Sequence, residues 1–222
     1  TFTDALTDEY SVLKAINGGS VLTPLLVDLQ GIWLQHDGTG TIPISQIVNF
    51  VNGRASLSGT TKVFNSLVNG GGTDFVVSGV FADLSQMTTV AFGGIELSGG
   101  ATVNVSNVTN IDTANLIVSG GVTLALPSAT SYTHATVGEF QTATIRVQGS
   151  GSHLNLSNVT SITGASRAND DIVIEALAGG TIDLSRVTGI VDGGGSGGQL
   201  GGRSISVSAS GTGSLVNLSA MT

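Results

Sequence analysis

The chain has 222 residues, of which 33 are Gly and only 10% are charged, whereas an ordinary domain has about 25% charged residues. The formal net charge is −8 with 7 Lys and Arg, so the dense basic surface that nucleic acid requires is missing. There is no Cys, which excludes disulfides and thiolate metal sites, and no run reaches the roughly 18 apolar residues that span a bilayer. We therefore expect neither a nucleic-acid partner nor membrane insertion.

The first predicted element is a strand at residues 12–16. The segment VLKAINGGSVL (12–22) matches VIEALAGGTID (173–183), and the second segment alternates as a strand does. Leu6, Tyr10 and Leu13 share one face of a helix, so a helix that ends at Asn17-Gly18 is the alternative. We favour a helical turn within residues 3–10, followed by the strand.

A six-residue phrase recurs from residue 21 to the end of the chain. Clear copies are VNVSNV (103–108), LNLSNV (154–159) and IDLSRV (182–187). We call the third residue of each copy the anchor, and the nine anchors are Thr23, Ile44, Asn65, Leu84, Val105, Leu126, Leu156, Leu184 and Leu218. They are spaced by 21, 21, 19, 21 and 21 residues and then by 30, 28 and 34. This period predicts one coil of a parallel β-helix per copy.

Aligned positions of the nine copies share their chemistry. The residues two before the anchor are all apolar and are Val21, Ile42, Val63, Ala82, Val103, Leu124, Leu154, Ile182 and Val216. The residues three after it are also apolar and are Leu26, Ile47, Val68, Met87, Val108, Ala129, Val159, Val187 and Met221. Both sets are predicted to face inward. The residue after the anchor is always Ser or Pro, which predicts a corner because both favour turns.

Two further features precede each anchor. A Gly that can form a second corner stands four to six residues upstream, at Gly18, Gly40, Gly59, Gly79, Gly100, Gly121, Gly151, Gly180 and Gly213. Alternating runs such as TIRV (144–147) and DIVIEA (171–176) come before these glycines and add a strand. We predict an all-β fold, a single-stranded right-handed parallel β-helix (solenoid) of about nine coils with three short strands per coil, over residues 1–222. The right-handed sense follows from the chirality of parallel crossovers.

Three coils carry extra residues at one place. The insertions THATVGEFQTA (133–143), TGASRANDD (163–171) and VDGGGSGGQLGGR (191–203) all follow the residue six after the anchor. Loops that leave the same corner of successive coils lie side by side, and repeat proteins commonly bind ligands on such a face. We therefore predict that any binding function lies at this corner.

The best candidate for chemistry is the triplet Asn169-Asp170-Asp171. Two carboxylates at the start of a β-helix strand resemble the acid pair of polygalacturonase-type glycosidases. The Gly-His-Gly and Arg-Ile-Lys motifs of those enzymes are absent, and His36, His134 and His153 stand elsewhere. A solvated polar loop that enters a strand is the favoured interpretation, and we predict no catalytic residue.

A lyase would need a basic residue beside stacked Ca²⁺-binding carboxylates. Arg146, Arg167, Arg186 and Arg203 are present, but adjacent coils do not supply three stacked acids. An Asn/Asp column one residue before the anchor consists of Asp83, Asn104, Asn155, Asp183 and Asn217. Such a row is more typical of a solvent-facing strand than of a metal site. We predict no metal and no cofactor.

Two observations concern the surface columns and the chain ends. The residue four after the anchor is Thr in Thr88, Thr109, Thr130, Thr160, Thr188 and Thr222. An ice-binding array is the alternative to ordinary strand propensity here, but the neighbouring column is mixed. Phe2 would fall six after an anchor, so the end of the chain continues into its beginning in phase. Because no polar cap follows the last copy, we expect a piece of a longer array, or end-to-end stacking with a partner.

Phrases such as GATVNVSNVT, GSHLNLSNVT and GGTIDLSRVT resemble the repeat regions of large hemagglutinin-like secreted proteins of environmental bacteria. The resemblance implies a secreted or cell-surface β-helix used as an adhesin stalk or matrix element. We expect a structural or adhesive role with carbohydrate as the ligand class. The alternative is a polysaccharide lyase or glycoside hydrolase of the pectate-lyase-like fold. The residues predicted to bind at the corner are Arg167, Asp170, Asp171, Glu175 and Asp192.

Overall fold

The computed structural model describes residues 1–4, 9–135, 141–167, 169–193 and 202–222, and over these residues it is all β. Within that part of the chain no helix is long and apolar enough to cross a membrane. The strands of the first half are β1 (Phe2–Thr3), β2 (Ser11–Ala15), β3 (Asp28–Gln30), β4 (Ile32–His36), β5 (Asn49–Val51), β6 (Arg54–Leu57), β7 (Lys62–Val63), β8 (Asp74–Ser78), β9 (Phe81–Asp83), β10 (Gly94–Ser98) and β11 (Thr102–Asn104). Those of the second half are β12 (Asn115–Ser119), β13 (Thr123–Ala125), β14 (Ser131–Thr133), β15 (Thr142–Gln148), β16 (His153–Asn155), β17 (Ser161–Thr163), β18 (Asp171–Leu177), β19 (Thr181–Asp183), β20 (Gly189–Val191), β21 (Ile205–Ser210) and β22 (Leu215–Asn217).

The strands stack into three faces, and neighbouring strands within each face run parallel. The first face, which we call the long sheet, has nine strands among the described residues, in the order β2-β4-β6-β8-β10-β12-β15-β18-β21. The second contains β7-β9-β11 and β13-β16-β19-β22, and the third contains β1-β3-β5 and β14-β17-β20. Isolated parallel bridges continue the third face through Asn49, Asn69, Thr89 and Asn110. The predicted parallel β-helix of about nine coils is confirmed over the described part of the chain, and its right-handed sense stays a prediction.

Equivalent inward side chains form one continuous core. Leu124, Leu154 and Ile182 lie in register on neighbouring strands, all three are buried, and Val103 packs against the same cluster. Strands of the long sheet alternate buried and partly exposed residues, as a sheet with one solvated face does. The stacking predicted from the sequence is therefore present.

The corner after the anchor is closed by the same hydrogen bonds in successive coils. The N–H three residues after the anchor donates to the anchor carbonyl. In the first coil the N–H of Leu26 donates to Thr23 at 3.1 Å, and in the last coil the N–H of Met221 donates to Leu218 at 3.0 Å. The Asn/Asp column adds a second bond, since Oδ1 of Asp83 accepts the N–H of Ser85 at 3.1 Å. Asn104, Asn155, Asp183 and Asn217 do the same. This column therefore builds the turn.

The register predicted for the third coil is wrong by one residue. Lys62 pairs with Ala82 and Val63 with Asp83, so Phe64, not Asn65, is the anchor. Lys62 and Leu67 take the inward positions assigned to Val63 and Val68. The predicted alignment puts the apolar residues Val63 and Val68 inward, and the observed one puts Phe64 and Leu67 inward together with Lys62. The backbone pairing with β9 decides between them.

Lys62 is consequently a charged residue within the apolar column. Its side chain is buried, and its ammonium donates to the carbonyl and the hydroxyl of Thr60 at 2.8 and 3.1 Å. Burial lowers the pKa of Lys62, and Asp37 opposes that shift. Burial also lowers the pKa of neighbouring His36, whose Nε2 lies 2.9 Å from the carbonyl oxygen of Gly40. The core thus accepts an amine where the carbonyl and the hydroxyl of Thr60 supply acceptors.

The glycines of the second corner have two distinct roles. Seven of the nine predicted positions have positive φ, the exceptions being Gly40 and Gly180. A Cβ at Gly40 would stand 2.5 Å from the carbonyl carbon of Ala15, and one at Gly180 would stand 2.5 Å from the carbonyl oxygen of Val147. At these two positions the close approach of the preceding coil requires glycine.

The beginning of the chain joins the third face. Phe2 pairs with Leu29, which in turn pairs with Phe50, so the predicted position of Phe2 is confirmed. The predicted strand at residues 12–16 is also confirmed as β2. Thr3 lies in β1, so no helix begins there, and most of the predicted helical turn falls on residues 5–8, outside the described residues.

The Thr side chains four residues after the anchors form hydrogen bonds between neighbouring coils. The hydroxyl of Thr109 donates to the carbonyl of Thr88 at 3.3 Å, and that of Thr188 donates to the carbonyl of Thr160 at 3.3 Å. Thr88 and Thr160 make the same contact to the coil before them. Each of these hydroxyls therefore has a partner within the protein. This supports a structural role for the column over an ice-binding array.

Candidate functional site

The three insertions leave the corner between the third face and the long sheet. They connect β14 to β15, β17 to β18 and β20 to β21, so their common position is confirmed. Residues 136–140, 168 and 194–201 of these insertions lie outside the described residues. The ends of the insertions are described, and they hold most of the predicted binding residues.

Asp170 does not lie in a solvated loop, contrary to the favoured interpretation of the triplet. It is 1% exposed, and its Oδ1 accepts the backbone N–H of Gln141 at 2.9 Å. Its Oδ2 is buried and has no hydrogen-bond partner among the described residues. His134, also buried, has Nε2 3.4 Å from the carbonyl oxygen of Gln141. Asp170 and His134 therefore lie beneath the corner, and both contact the backbone of Gln141 there.

The other predicted binding residues each have a different environment. Asp171 accepts a hydrogen bond from the hydroxyl of Ser204 at 2.7 Å, and Asp192 forms an ion pair with Arg203. Glu175 lies on the outer side of β18 and forms an ion pair with Arg146 of β15. Arg167 is exposed. Within the described part of the chain no hydrogen bond or ion pair joins any two of the five, and their role in binding stays a prediction.

The described ranges also contain no group of three or more His, Asp or Glu side chains arranged to hold a metal ion. Asp170 and Asp171, the pair that resembles a glycosidase step, separate because successive residues of a strand point to opposite faces. Asp170 turns inward and Asp171 turns toward Ser204. The two carboxylates therefore do not face one substrate together.

A groove that the sequence interpretation missed lies on the outer side of the long sheet. It has a volume of about 160 Å³ and crosses strands β6, β8, β10 and β12. Its lining residues are Arg54, Asp74, Val76, Gly94, Ile95, Glu96, Asn115 and Ile117. We call it the long-sheet groove.

Strand register explains the shape of the groove. Asp74, Gly94 and Asn115 follow one another in one outward column, and Gly94 leaves a gap between the two side chains. Val76, Glu96 and Ile117 form the next outward column. A Cβ at Gly94 would meet the carbonyl oxygen of Asn115 at 2.7 Å. The neighbouring coils therefore require the glycine that opens the gap.

The charges of the groove are incompletely paired. Nη1 of Arg54 is 3.8 Å from Oδ2 of Asp74, which is beyond hydrogen-bond distance. Burial raises the pKa of Asp74, the Arg54 guanidinium lowers it, and the Glu96 carboxylate raises it. Burial and the neighbouring acid outweigh the loose ion pair. Asp74 is therefore the perturbed carboxyl of this surface.

The sequence feature that could have revealed the groove lies in four strand segments, which are RASL (54–57), DFVVS (74–78), GIELS (94–98) and NLIVS (115–119). The outward positions of these strands hold Arg, Asp, Glu and Asn with one Gly among them. Their pairing depends on the register between coils, which periodicity alone does not determine.

Comparison of the chain with protein-family models, with curated proteins and with solved structures finds no match in any of the three.

Proposed function

We propose that this β-helix is a structural and adhesive segment of an extracellular bacterial protein, with carbohydrate as its ligand class. The observation that carries the proposal is the unbroken nine-strand long sheet, to which each coil contributes one strand. A stack of this kind holds side chains of successive coils about 4.8 Å apart over its whole length. Such a surface suits an extended polymer, because repeating ligand units can meet repeating protein groups.

The predicted binding corner supports the same role. Asp171 of one coil is bonded to Ser204 of the next, and Asp192 is paired with Arg203 across the base of the last insertion. These contacts fix the ends of the insertions on a rigid sheet. Binding loops that are held by a rigid scaffold are the common arrangement in repeat proteins.

Further β-helix coils are the second proposed class of partner. Val207 of β21 pairs with Ile174, which is fully buried, yet Val207 is 38% exposed because β21 is an edge strand of the long sheet. An edge strand presents unpaired N–H and C=O groups to which another parallel strand can add.

We expect Arg167→Ala to weaken glycan binding by at least about 5-fold, since an exposed Arg commonly supplies charged hydrogen bonds worth this much. Binding would be measured on a glycan array and then by titration with the strongest ligand. Arg186→Ala is the matched control, because Arg186 is exposed at another corner and contacts Asn158. A blank array would contradict the adhesive role. Equal losses in both variants would contradict binding at the corner.

A polysaccharide hydrolase is the second candidate function, and the Asp74–Glu96 pair favours it. Glycosidases use one protonated and one ionised carboxyl, whose environments separate their pKa values. The raised pKa of Asp74 suits a general acid, with Glu96 as the second carboxyl of the pair.

In that case we expect Asp74→Asn to abolish the release of reducing ends from polysaccharide. Wild-type activity would fall as the pH rises through the raised pKa of Asp74, because a general acid must carry its proton. Asp83→Asn is the control, since Asn holds the same turn in other coils. Absence of reducing ends, and of the unsaturated products that a lyase would form, would contradict an enzymatic role.

A further inference from the structure

The long-sheet groove holds two carboxylates, and among the described residues no group donates a hydrogen bond to either side chain. Within the described ranges, the one charged contact of the Asp74 side chain is the 3.8 Å contact to Arg54. Glu96 forms no ion pair or side-chain hydrogen bond within the same part of the chain. Both residues are partly buried, and the Asp74 side chain keeps 41% of its surface exposed, so the carboxylates are accessible to a ligand although burial reduces their solvation. A partly desolvated carboxylate without a donor is unfavourable, and a ligand that supplies donors would remove that cost.

The charge balance of the groove favours a cationic donor. Asp74 and Glu96 contribute two negative charges and Arg54 contributes one positive charge. Glu96 lies one coil beyond Asp74 and two residues along the strand, so the carboxylates are diagonal neighbours. Burial is the main cause of the raised pKa of Asp74, and the Glu96 carboxylate adds to that shift. A positive group between them would relieve this repulsion, and an ammonium group offers three N–H donors for two carboxylates.

The other side chains of the groove indicate what the rest of the ligand would contact. Val76 and Ile117 flank Glu96 on either side in the same outward column, and their aliphatic side chains can contact the C–H face of a sugar ring. The amide oxygen of Asn115 accepts the N–H of Thr144 at 2.9 Å, which leaves its NH₂ as a donor for a hydroxyl oxygen.

The size of the groove limits the ligand further. Its volume of about 160 Å³ lies well below the roughly 300–1,000 Å³ of sites for drug-sized ligands. One sugar unit is therefore the appropriate occupant, with the rest of a chain lying along the open sheet.

We infer that the long-sheet groove binds the protonated amine of an amino sugar within a glycan, with Asp74 and Glu96 accepting its hydrogen bonds. The inference rests on the proposed glycan-binding function, and it adds a class of sugar and a further binding site on the long sheet. The site lies on the outer face of the long sheet and is separate from the predicted corner of insertions.

The test uses the full 222-residue chain and two probes, an oligosaccharide of β-linked glucosamine and its fully N-acetylated counterpart. We expect calorimetric titration to show at least about 10-fold tighter binding of the free amine, because acetylation removes the charge and two of the donors. Added salt should weaken only the binding of the amine, since screening acts on the ion pair.

The variants Glu96→Gln and Asp74→Asn each remove one negative charge and keep the side-chain shape. We expect each to weaken binding of the amine by about 10- to 100-fold, as the loss of a charged hydrogen bond does. Asp83→Asn is the control, because it removes one negative charge at a turn that Asn also forms. It should change binding by less than about 2-fold, in line with a screened surface charge.

The outcomes separate the inference from the proposed function. Equal binding of both probes that is unaffected by Glu96→Gln would overturn the inference while the glycan-binding function stands. Binding of neither probe, together with a blank glycan array, would overturn both. An equal loss of amine binding in Asp83→Asn would show that net charge alone attracts the ligand, which also overturns the inference.

Discussion

Replacement of Phe75 by Ala is expected to lower the free energy of unfolding by about 3–5 kcal/mol, the usual cost of truncating a buried Phe. Phe75 is fully buried. Its ring forms T-shaped pairs with the rings of Phe50 and Phe64 at centroid distances of 5.9 and 6.5 Å. Gly70 makes room for the ring, because a Cβ there would lie 2.9 Å from Cε2 of Phe75. Three coils therefore meet around one side chain.

The cavity left by this change cannot close readily. Strand β8, which carries Phe75, is hydrogen-bonded to β6 on one side and to β10 on the other. Both neighbours hold its backbone in place, and a site that does not relax shows the larger loss. Urea denaturation followed by circular dichroism measures the effect. Phe81→Ala is the control, since Phe81 is 39% exposed, and it should cost no more than about 1–2 kcal/mol because this side chain buries less apolar surface and its truncation leaves no closed cavity. Similar losses in the two variants would contradict a stacked aromatic core.

Gly93→Ala is expected to cost at least about 3 kcal/mol or to prevent folding, at the upper end of overpacking effects. A Cβ at Gly93 would lie 2.2 Å from the carbonyl oxygen and 2.5 Å from the nitrogen of Thr73 in the preceding coil. Backbone atoms cannot rotate away as a side chain can. The N–H of Gly94 also donates to that carbonyl at 3.0 Å, so the added methyl group would break the contact that places β10 beside β8.

This substitution also affects the long-sheet groove, because β8 and β10 carry Asp74 and Glu96. Any Gly93→Ala protein that folds should therefore lose amine binding along with stability. Gly189→Ala is the matched control. A Cβ at Gly189 would meet none of the described atoms within 4 Å, and the φ of this residue is not positive. Its replacement should therefore change stability by no more than about 1 kcal/mol, in the stabilising direction. Thermal unfolding measures the stability of both variants. An unchanged melting temperature for Gly93→Ala would contradict the close approach of the coils.

The coil period, the nine repeats and the corner after the anchor were all predictable from local chemistry. A Ser or Pro after each anchor and a Gly before it mark turns wherever they occur, and apolar residues at a constant distance from the turn must share one side of the strand. The third coil shows the limit of this reasoning. Val63 and Phe64 are both apolar, so the pattern permits either inward, and a shift of one residue reverses every side chain. Hydrogen bonds to β9 select Phe64 and bring Lys62 into the core.

The candidate sites, like the fold, were only partly predictable from the sequence. The sequence placed the insertions at one corner, because insertion points can be counted along a repeat. It did not reveal that Asp170 is buried while Asp171 reaches Ser204, since that depends on how the insertion enters β18. The long-sheet groove was also hidden, because its residues come from four strands that are 20 or 21 residues apart in register.

By itself the sequence determined that this chain stacks repeated turns into a parallel β-helix, since each coil carries its own turn residues and its own apolar set. Only the tertiary structure decided which side chains of different coils meet. That choice depends on the hydrogen-bonded register between strands, and it brings Asp74, Gly94 and Glu96 together on one outer surface. Local chemistry therefore specifies the coil, and the pairing of coils specifies the site.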